Sequence, residues 1–233
     1  MEQLLVLLFE KYNIACSAEQ IALLAKFYEI VVEENKKFNL TAITEKNDFA
    51  IKHILDCALP AVLLPANAKV IDVGAGAGFP SIVLKILRPD LSVTMLDSLN
   101  KRVNFLNNTV NELKLSDIMA VHARAEDYAL LHREGFDVAV ARAVASLNTL
   151  AEYCLPFVKM GGLFVALKGS NYEQELAEAK NAIATLGGSL ENVQQLKVDE
   201  IDSIRANLVI KKVKQTPSKY PRGKNLPRLK PLA

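Results

Sequence analysis

The sequence predicts an α/β fold in which a doubly wound, Rossmann-like parallel sheet follows an N-terminal helical part. Two observations predict it. From Lys69 onward, short apolar runs typical of buried strands alternate with segments whose apolar residues recur at helical spacing. The first run, Val70–Val73, is followed by a glycine-rich loop, Gly74–Gly78, and by Pro80, which suits the first position of a helix. Ligands bind at the carboxyl ends of parallel strands, so we expect the functional residues just after these runs.

Residues 1–66 are predicted to form the helical part. A first amphipathic helix is expected around residues 4–9, and Ser17 with Gln20 has the spacing of a capping box that starts a second helix. The predicted buried face of the second helix consists of Ile21, Leu24, Ala25, Tyr28 and Val32. A loop is expected over residues 36–43, and Asp48 is predicted to cap a third helix.

Residues 67–215 are predicted to form the sheet domain. Its strands are expected at 69–73, 92–96, 118–121, 136–140, 163–167 and 208–213, all parallel, with Gly161 and Gly162 making the turn into the fifth. Helices are expected after Pro80 and around 103–113, 147–155 and 173–186. Residues 216–233 contain four prolines and are predicted to be an extended tail, packed on or near the domain.

The composition indicates a protein of the cytoplasm. The chain has 233 residues, of which 51% are hydrophobic, yet no apolar run approaches the ~20 residues that a membrane-spanning helix needs. No signal peptide is indicated at the N-terminus. Three scattered cysteines, Cys16, Cys57 and Cys154, suggest reduced thiols, and the histidines lack metal-ligand spacing. We therefore expect no metal site and no membrane association.

The charges are distributed unevenly along the chain. Nine of the 28 Lys and Arg residues lie between Ser203 and Ala233, where there is no Asp or Glu, so 19 basic residues face 26 acidic ones elsewhere. A basic end on an acidic body suggests contact with a polyanion from one side. A solvated tail that only aids solubility explains the charge equally well.

The spacing of the glycines in the loop favours one class of ligand over others. Asp72 precedes Gly74, Gly76 and Gly78 in the pattern D-x-G-x-G-x-G. A dinucleotide motif requires glycine at position 79, which is Phe, and no Gly-Lys-Ser/Thr of a phosphate-binding loop follows. The spacing resembles the first motif of class I S-adenosylmethionine (SAM) methyltransferases. The alternative is a tight turn without a ligand.

Further polar residues follow the other predicted strands. Asp97, with Ser98 beside it, comes about 20 residues after the glycine loop, where an acidic side chain can accept hydrogen bonds from both ribose hydroxyls. Asp97 could instead cap the next helix. Glu126, Arg142 and Lys168 follow later strands, and the carboxyl ends of parallel strands lie along one edge. We expect these side chains to surround one ligand.

Over nearly its whole length the chain resembles the RsmG family, also called GidB. The motifs that carry the resemblance are N-L-T-A-I (39–43), H-x-x-D (53–56), the glycine motif with F-P (72–80), R-A-E (124–126), A-R-A-V-A (141–145), L-K-G (167–169) and Y-P-R (220–222). The glycine motif alone marks a superfamily, whereas the full set is far more specific.

The resemblance implies a fold, a reaction and a set of residues. The fold would be the class I methyltransferase sheet, and the reaction the transfer of a methyl group from SAM to N7 of one guanosine in 16S rRNA, free or in the small ribosomal subunit. Gly74 and Phe79 would contact the cofactor, and Ala125 and Glu126 would border its adenine. Arg142 would reach the cofactor or the guanine.

Methylation at N7 needs no general base, because N7 carries a lone pair and no proton. Catalysis then depends mainly on positioning. Arg142 is the candidate catalytic residue, since its planar fork can bind guanine O6 or a phosphate; the alternative is an arginine paired with a nearby carboxylate. His53, Lys168 and Arg222 are candidate RNA-binding residues, although exposed lysines and surface pairs are common. Phe38, Phe79 or Tyr220 could stack on a base, or simply pack.

Two other functions remain open at this stage. A SAM-binding ribosome-assembly factor could grip rRNA without modifying it, and a nicotinamide-dependent oxidoreductase could use the same fold. The spacing of the glycines argues against the oxidoreductase. We expect a monomeric enzyme that uses SAM and acts on 16S rRNA.

Overall fold

A computed structural model describes residues 1–143 and 145–232. Val144, which belongs to the A-R-A-V-A motif, and Ala233 lie outside the described residues. In the described part the strands form one sheet in the order β3-β2-β1-β4-β5-β7-β6. The strands are β1 (Lys69–Val73), β2 (Ser92–Asp97), β3 (Ile118–His122), β4 (Phe136–Arg142), β5 (Val158–Lys168), β6 (Gly188–Val198) and β7 (Ser203–Lys212).

The helices precede, connect and follow these strands. The α-helices are α1 (Glu2–Lys11), α2 (Ala18–Asn35), α3 (Lys46–Phe49), α4 (Asp56–Ala58), α5 (Ser81–Leu87), α6 (Asn100–Glu112), α7 (Ala125–Leu131), α8 (Leu147–Cys154), α9 (Tyr172–Thr185) and α10 (Leu226–Leu229). A π-helical turn, Ala50–Leu55, joins α3 to α4. Short 3₁₀ turns lie at Leu59–Leu63, Leu155–Phe157 and Asp199–Ile201.

Two apolar clusters lie on opposite faces of the sheet. One contains Val70 and Val138 with residues of α1, α2, α5 and α6. The other contains Ile71 and Ala139 with residues of α8 and α9. Successive residues of one strand point to opposite faces, so β1 and β4 are buried on both sides, which explains their continuous apolar runs. The doubly wound α/β prediction is confirmed, and the helical N-terminal part belongs to the first cluster.

The prediction of a wholly parallel sheet is wrong at one end. Strands β1 to β5 pair in parallel, but β7 runs antiparallel to both β5 and β6. The sequence does not reveal β6, because β6 is an edge strand whose residues 189–192 are all exposed, so no buried apolar run marks it. The predicted turn at Gly161 and Gly162 is a bulge within β5, between the pairs Phe136–Val158 and Val138–Leu163.

Two details of the N-terminal helices also differ from expectation. Phe27 and Val31 are buried in α2, in place of Tyr28 and Val32, which are half-buried. The cap of α3 is Glu45, whose carboxylate accepts hydrogen bonds from the backbone N–H groups of residues 47 and 48; Asp48 itself lies inside the helix. Apolar periodicity predicted the helices correctly. It did not distinguish which of two adjacent apolar residues is buried, or which of two nearby acidic residues caps the helix.

The tail is more ordered than its composition suggests. It contains the one-turn helix α10, and Tyr220 and Pro227 are buried. Thr216 is also buried, where its hydroxyl donates to the Leu186 carbonyl and accepts from Lys212. The division of the chain at residues 66 and 215 stays a prediction.

Gln20 ties α2 to the helix that follows the glycine loop. Its side-chain oxygen accepts from Ser17 N at 2.9 Å and completes the capping box. Its side-chain nitrogen donates to the carbonyls of Ile86 and Leu87 at 2.7 and 3.1 Å, at the end of α5. One side chain therefore satisfies the ends of two helices.

We predict that Gln20→Ala lowers the free energy of unfolding by about 2 kcal/mol, because it leaves a helix start and two carbonyls without partners. Urea unfolding measures the loss. Gln3→Ala, at an exposed position of α1, is the matched control and should change stability little. Equal stability of the two variants would contradict this role of Gln20.

Candidate active site

A cleft of about 700 Å³ lies at the carboxyl ends of β1, β2, β3 and β4. This is the edge at which a doubly wound sheet binds its ligands. Of the sequence-predicted residues, the cleft brings together Gly74, Gly76, Phe79, Asp97, Ser98, Ala125, Glu126, Arg142 and His53. Leu40, Thr41, Leu99, Arg102, Arg124, Tyr153, Asn225 and Arg228 complete much of its wall.

The glycine loop forms the floor of this cleft. Gly74, Gly76 and Gly78 have φ angles of +81°, +59° and +94°, a region that other residues rarely adopt. A Cβ built on Gly76 would meet nothing nearer than 3.9 Å, so the backbone there is open to a ligand. A Cβ on Gly78 would lie 2.6 Å from Ile82, so this glycine allows close packing of α5, which begins one residue after Pro80. Gly78 supports the loop rather than lining the cleft.

Asp97 is fixed beside this loop. Its carboxylate accepts from Gly76 N at 3.0 Å and from Leu99 N at 2.9 Å, and only 4% of the residue is exposed. Each oxygen keeps a further lone pair, so the carboxylate can still accept hydrogen bonds from a ligand in the cleft. The bond to Leu99 N, the residue before α6, means that Asp97 also serves the helix start, and the two sequence hypotheses are compatible.

Ala125 and Glu126 are the first two residues of α7, and both line the cleft. Glu126 is 6% exposed and accepts a hydrogen bond from Asn225 N, in the tail, at 3.3 Å. Arg124 Nη1 lies 4.0 Å from the Glu126 carboxylate. The tail therefore meets the cleft at the place where the adenine was expected.

Arg142 is the last residue of β4 and is held by the N-terminal part of the chain. Its Nη1 donates to the Lys52 carbonyl at 2.9 Å and to Asp56 at 3.1 Å, and its Nη2 donates to His53 Nδ1 at 3.0 Å. The guanidinium lies 5.0 Å from the Phe79 ring centroid. These bonds use three of its five N–H groups, which leaves two donors for a ligand. The arginine is both paired with a carboxylate and part of the cleft.

His53 is a buried, neutral part of this arrangement. Its ring stacks on Phe79 with centroids 4.4 Å apart, and its Nε2 lies 2.8 Å from Thr41 Oγ1. Arg142 donates to Nδ1, so the proton of the neutral ring is on Nε2 and is donated to Thr41. Burial, and next the charge of Arg142, lower the pKa of His53 to about 3. His53 therefore orients Arg142 and carries no positive charge for RNA near neutral pH.

Asp56 joins Arg142 to a second arginine that the sequence analysis missed. Arg205, on β7, places its Nε 3.4 Å from the second carboxylate oxygen of Asp56. Burial raises the pKa of Asp56, while the two guanidinium groups oppose this shift. His53 and Asp56 thus form a largely buried link between the π-helical turn and the sheet, in place of the surface pair that their spacing alone allows. Arg205 lies on β7, whose antiparallel direction was not predicted. The sequence therefore did not indicate that Arg205 lies near Asp56.

Asp72, the acidic residue of the glycine motif, is fully buried under the loop. One of its oxygens accepts from the Ser81 hydroxyl, and the other has no hydrogen-bond partner among the described residues. Burial raises the pKa of this carboxyl to about 7, although the hydrogen bonds to Ser81 oppose the shift. Asp72 therefore holds the start of α5 rather than a ligand.

The structure corrects the expectation that Lys168 and Arg222 present free charges. Lys168 donates to Glu175 at 2.6 Å and to the Ala145 carbonyl at 2.9 Å, and its side chain is 7% exposed. Arg222 is paired with Glu152, on α8. Neither lines the cleft. Glu152 is distant from Arg222 in sequence, and Glu175 lies on α9, the helix that follows Lys168, so the sequence alone did not reveal either pair.

The three aromatic residues considered for base stacking all pack against other side chains of the protein. Phe79 is 5% exposed and lies against Phe27, Phe49 and His53. Phe38 contacts Phe105, with centroids 6.4 Å apart. Tyr220 is buried in the second apolar cluster.

In residues 1–143 and 145–232, no group of three or more His, Cys, Asp or Glu side chains is arranged to hold a metal ion. No described helix is long and apolar enough to cross a membrane.

Asp72 and His53 give the stability opposite dependences on pH. Asp72 keeps its proton in the folded protein up to about pH 7 but loses it near its ordinary pKa of 3.8 in the unfolded chain, so its contribution is lost as pH rises. His53 stays neutral when folded but binds a proton below about pH 6.5 when unfolded, so its contribution is lost as pH falls.

We predict that Asp72→Asn and His53→Gln change this dependence in opposite directions. Relative to the wild type, Asp72→Asn should gain stability as pH rises from about 4 to 7, and His53→Gln as pH falls from about 6.5 to 4, each by at most about 1.4 kcal/mol per pH unit. Urea unfolding at several pH values, without cofactor, measures both. His122→Gln, on an exposed residue, is the control. A change of the same sign in both variants would contradict the assignment.

Solved structures with a similar fold differ widely from this chain in sequence. M. jannaschii TYW2 in complex with AdoMet superposes with a TM-score of 0.59 at 16% identity, covering 74% of this chain and 80% of that one. The O-methyltransferase from Bacillus cereus in complex with SAH gives 0.57 at 17% identity, covering 81% and 91%. At this identity the likeness establishes the fold, which is the class I methyltransferase fold that the glycine motif predicts.

Sequence relatives are much closer. The chain is 50% identical over 212 residues to the ribosomal RNA small subunit methyltransferase G of Desulforamulus reducens, covering 89% of this chain and 88% of the relative. It is 47% identical over 228 residues to that of Lactobacillus johnsonii, covering 95% of each. The family profile GidB, rRNA small subunit methyltransferase G, matches residues 20–204. The chain therefore belongs to the GidB family, as its motifs predicted.

Proposed function

We propose that this protein transfers a methyl group from SAM to N7 of one guanosine in 16S rRNA. Membership of the GidB family supports the reaction class and an rRNA substrate. The observation that carries the proposal is that Gly76, Asp97 and Arg142, from three different strand ends, line one cleft. A cofactor and a base can meet only where such groups converge.

The residues of the cleft fit SAM. The glycine loop offers backbone without side chains, which allows the methionine end of the cofactor to approach closely. Asp97 is held by two backbone N–H groups and retains acceptor capacity for ribose hydroxyls. Ala125 and Glu126 stand at the side proposed for adenine, and Ser98 lies next to Asp97. Gly74 and Phe79 border the end of the cleft toward Arg142.

Bound SAM supplies a methyl sulfonium, whose carbon accepts the N7 lone pair while the electrons of the carbon–sulfur bond return to sulfur. The protein has no proton to remove at N7, so its task is alignment and exclusion of water. The two remaining N–H groups of Arg142 can bind guanine O6 or a flanking phosphate. His53, Asp56 and the Lys52 carbonyl fix the guanidinium before the ligand arrives.

RNA is proposed to approach the open side of the cleft. Arg102, Arg124 and Arg228 stand along its wall, and the side chain of Arg124 is 61% exposed. Arginines at a cleft mouth attract a polyanion, and binding through them weakens as salt increases. We also propose that the protein acts as a monomer in the cytoplasm and without membrane or metal. Lys168 and Arg222 as direct RNA contacts receive no support from their buried ion pairs.

Methyl transfer tests the proposal directly. The enzyme is incubated with SAM carrying a labelled methyl group and with 16S rRNA, either free or within the small subunit, and the labelled nucleoside is identified. The expected product is 7-methylguanosine at a single site. Label at another atom would refute the N7 assignment, and SAM binding without transfer to either substrate would favour the non-catalytic assembly factor.

We predict that Arg142→Lys lowers the methyl-transfer rate constant about a hundredfold, because lysine keeps the charge but loses the planar fork. The Kd for SAM should rise by a much smaller factor. Single-turnover transfer and calorimetric titration with SAM measure the two quantities. Lysine is preferred to alanine here, since Asp56 would lose a close partner in Arg142→Ala and the fold would weaken.

A rate equal to that of the wild type would exclude Arg142 from catalysis. Thermal unfolding of Arg142→Lys serves as the control for the fold and should remain a single transition. If transfer and SAM affinity fell by the same factor, the arginine would act on the cofactor alone and not on the guanine.

A further inference from the structure

The C-terminal tail forms part of the cleft. Asn225 and Arg228 line the same cleft as the glycine loop and Asp97. We propose that segment 223–228 is a wall of the SAM site, and that its attachment to α8 sets the affinity for the cofactor. This inference rests on the proposed function, because it takes SAM as the ligand of the cleft.

The strongest attachment is an ion pair. Glu152, on α8, is fully buried, and its carboxylate accepts from Arg222 Nε at 2.9 Å and Nη2 at 2.6 Å, in a bidentate arrangement. The same carboxylate accepts from Arg222 N at 2.8 Å. A buried carboxylate is costly unless it is paired, so the position of α8 and that of the tail depend on each other.

Other side chains of α8 hold the tail within and after this segment. The Thr149 hydroxyl donates to the Pro227 carbonyl at 3.0 Å, and Asn148 donates to the Leu232 carbonyl at 3.1 Å. The Tyr153 hydroxyl donates to the side chain of Asn225 at 3.2 Å. Together with Glu152, one helix therefore fixes the tail before, within and after segment 223–228.

Between these attachments the chain turns toward the cleft. Lys224 and Asn225 have φ angles of +57° and +58°, which bring the backbone N–H of Asn225 to Glu126 at 3.3 Å. Glu126 and Ala125 border the cleft at the start of α7. A ligand that contacts these two residues must therefore lie against the tail.

The charges of the tail agree with this position better than with a free RNA-binding arm. Glu152 neutralises the charge of Arg222. Lys224 and Lys230 are exposed and do not line the cleft. A wall that is already in place before binding raises affinity, since the cofactor does not have to order it. Releasing the tail should therefore weaken SAM binding even if every other lining residue stays in place.

The test is calorimetric titration of the full-length protein with SAM. Arg222→Met should raise the Kd about tenfold or more, because it breaks the bidentate attachment. Thr149→Val, a substitution of nearly equal shape outside the cleft, should raise it about threefold, because the Pro227 carbonyl loses its donor. Lys230→Met, which removes an exposed charge from the same tail, should leave the Kd within about twofold.

A second control separates attachment of the tail from general stability. Gln20→Ala weakens the fold on the other face of the sheet and should leave the Kd for SAM unchanged. If Arg222→Met fails to fold, Thr149→Val decides the question by itself.

Unchanged SAM affinity in both Arg222→Met and Thr149→Val would overturn the inference and leave the proposed function intact. Loss of rRNA binding with unchanged SAM affinity would likewise overturn it, in favour of the RNA-binding arm. Absence of SAM binding by the wild type would refute the proposed function itself and, with it, the SAM wall.

Discussion

The Asp56 carboxylate lies between two guanidinium groups, Arg142 of β4 and Arg205 of β7, and the arrangement of the candidate active site depends on it. Asp56 belongs to the helical N-terminal part, whereas both arginines belong to the sheet. These side chains are largely withdrawn from water, so removal of one member leaves a charge without a partner and destabilises the fold, by at most about 3–5 kcal/mol. The N-terminal helices are thereby tied to the carboxyl edge of the sheet, where the cofactor and the RNA are proposed to meet.

This link explains why a histidine and a phenylalanine take part in a site that needs no general base. The π-helical turn that leads to Asp56 also carries His53, whose ring stacks on Phe79 of the glycine loop. The loop is joined to β2 by the hydrogen bond from Gly76 to Asp97. Arg142, the floor of the cleft and the proposed ribose acceptor therefore form one connected unit. An enzyme that works by alignment gains from such rigidity, since small displacements of the reacting atoms lower the rate.

The parallel strands β1 to β5 and most of the cleft at their carboxyl ends could be predicted from the sequence. Buried strands leave apolar runs in the sequence, and ligand-binding residues follow these runs. Asp97, Glu126 and Arg142 were found in this way. The sequence did not allow prediction of β6, an exposed edge strand, or of Arg205, whose strand runs in the opposite direction. The ion-pair partners were also hidden, because only the fold shows that Glu175 on α9 pairs with Lys168 and that Glu152 pairs with Arg222. The contact between the tail and Glu126 likewise arises only through the fold. Pairing across the structure, rather than the residue type, determines which charges remain free.

A crystal structure of the protein with S-adenosylhomocysteine would show whether one cleft at the sheet edge holds the cofactor beside Arg142. We expect the ribose hydroxyls at the Asp97 carboxylate, the adenine between Ala125 and segment 223–228, and the sulfur at the end of the glycine loop nearest Arg142. We also expect Arg142 to keep its bonds to Asp56 and His53. A ligand bound elsewhere, or an Arg142 that leaves Asp56 on binding, would refute this arrangement of the site.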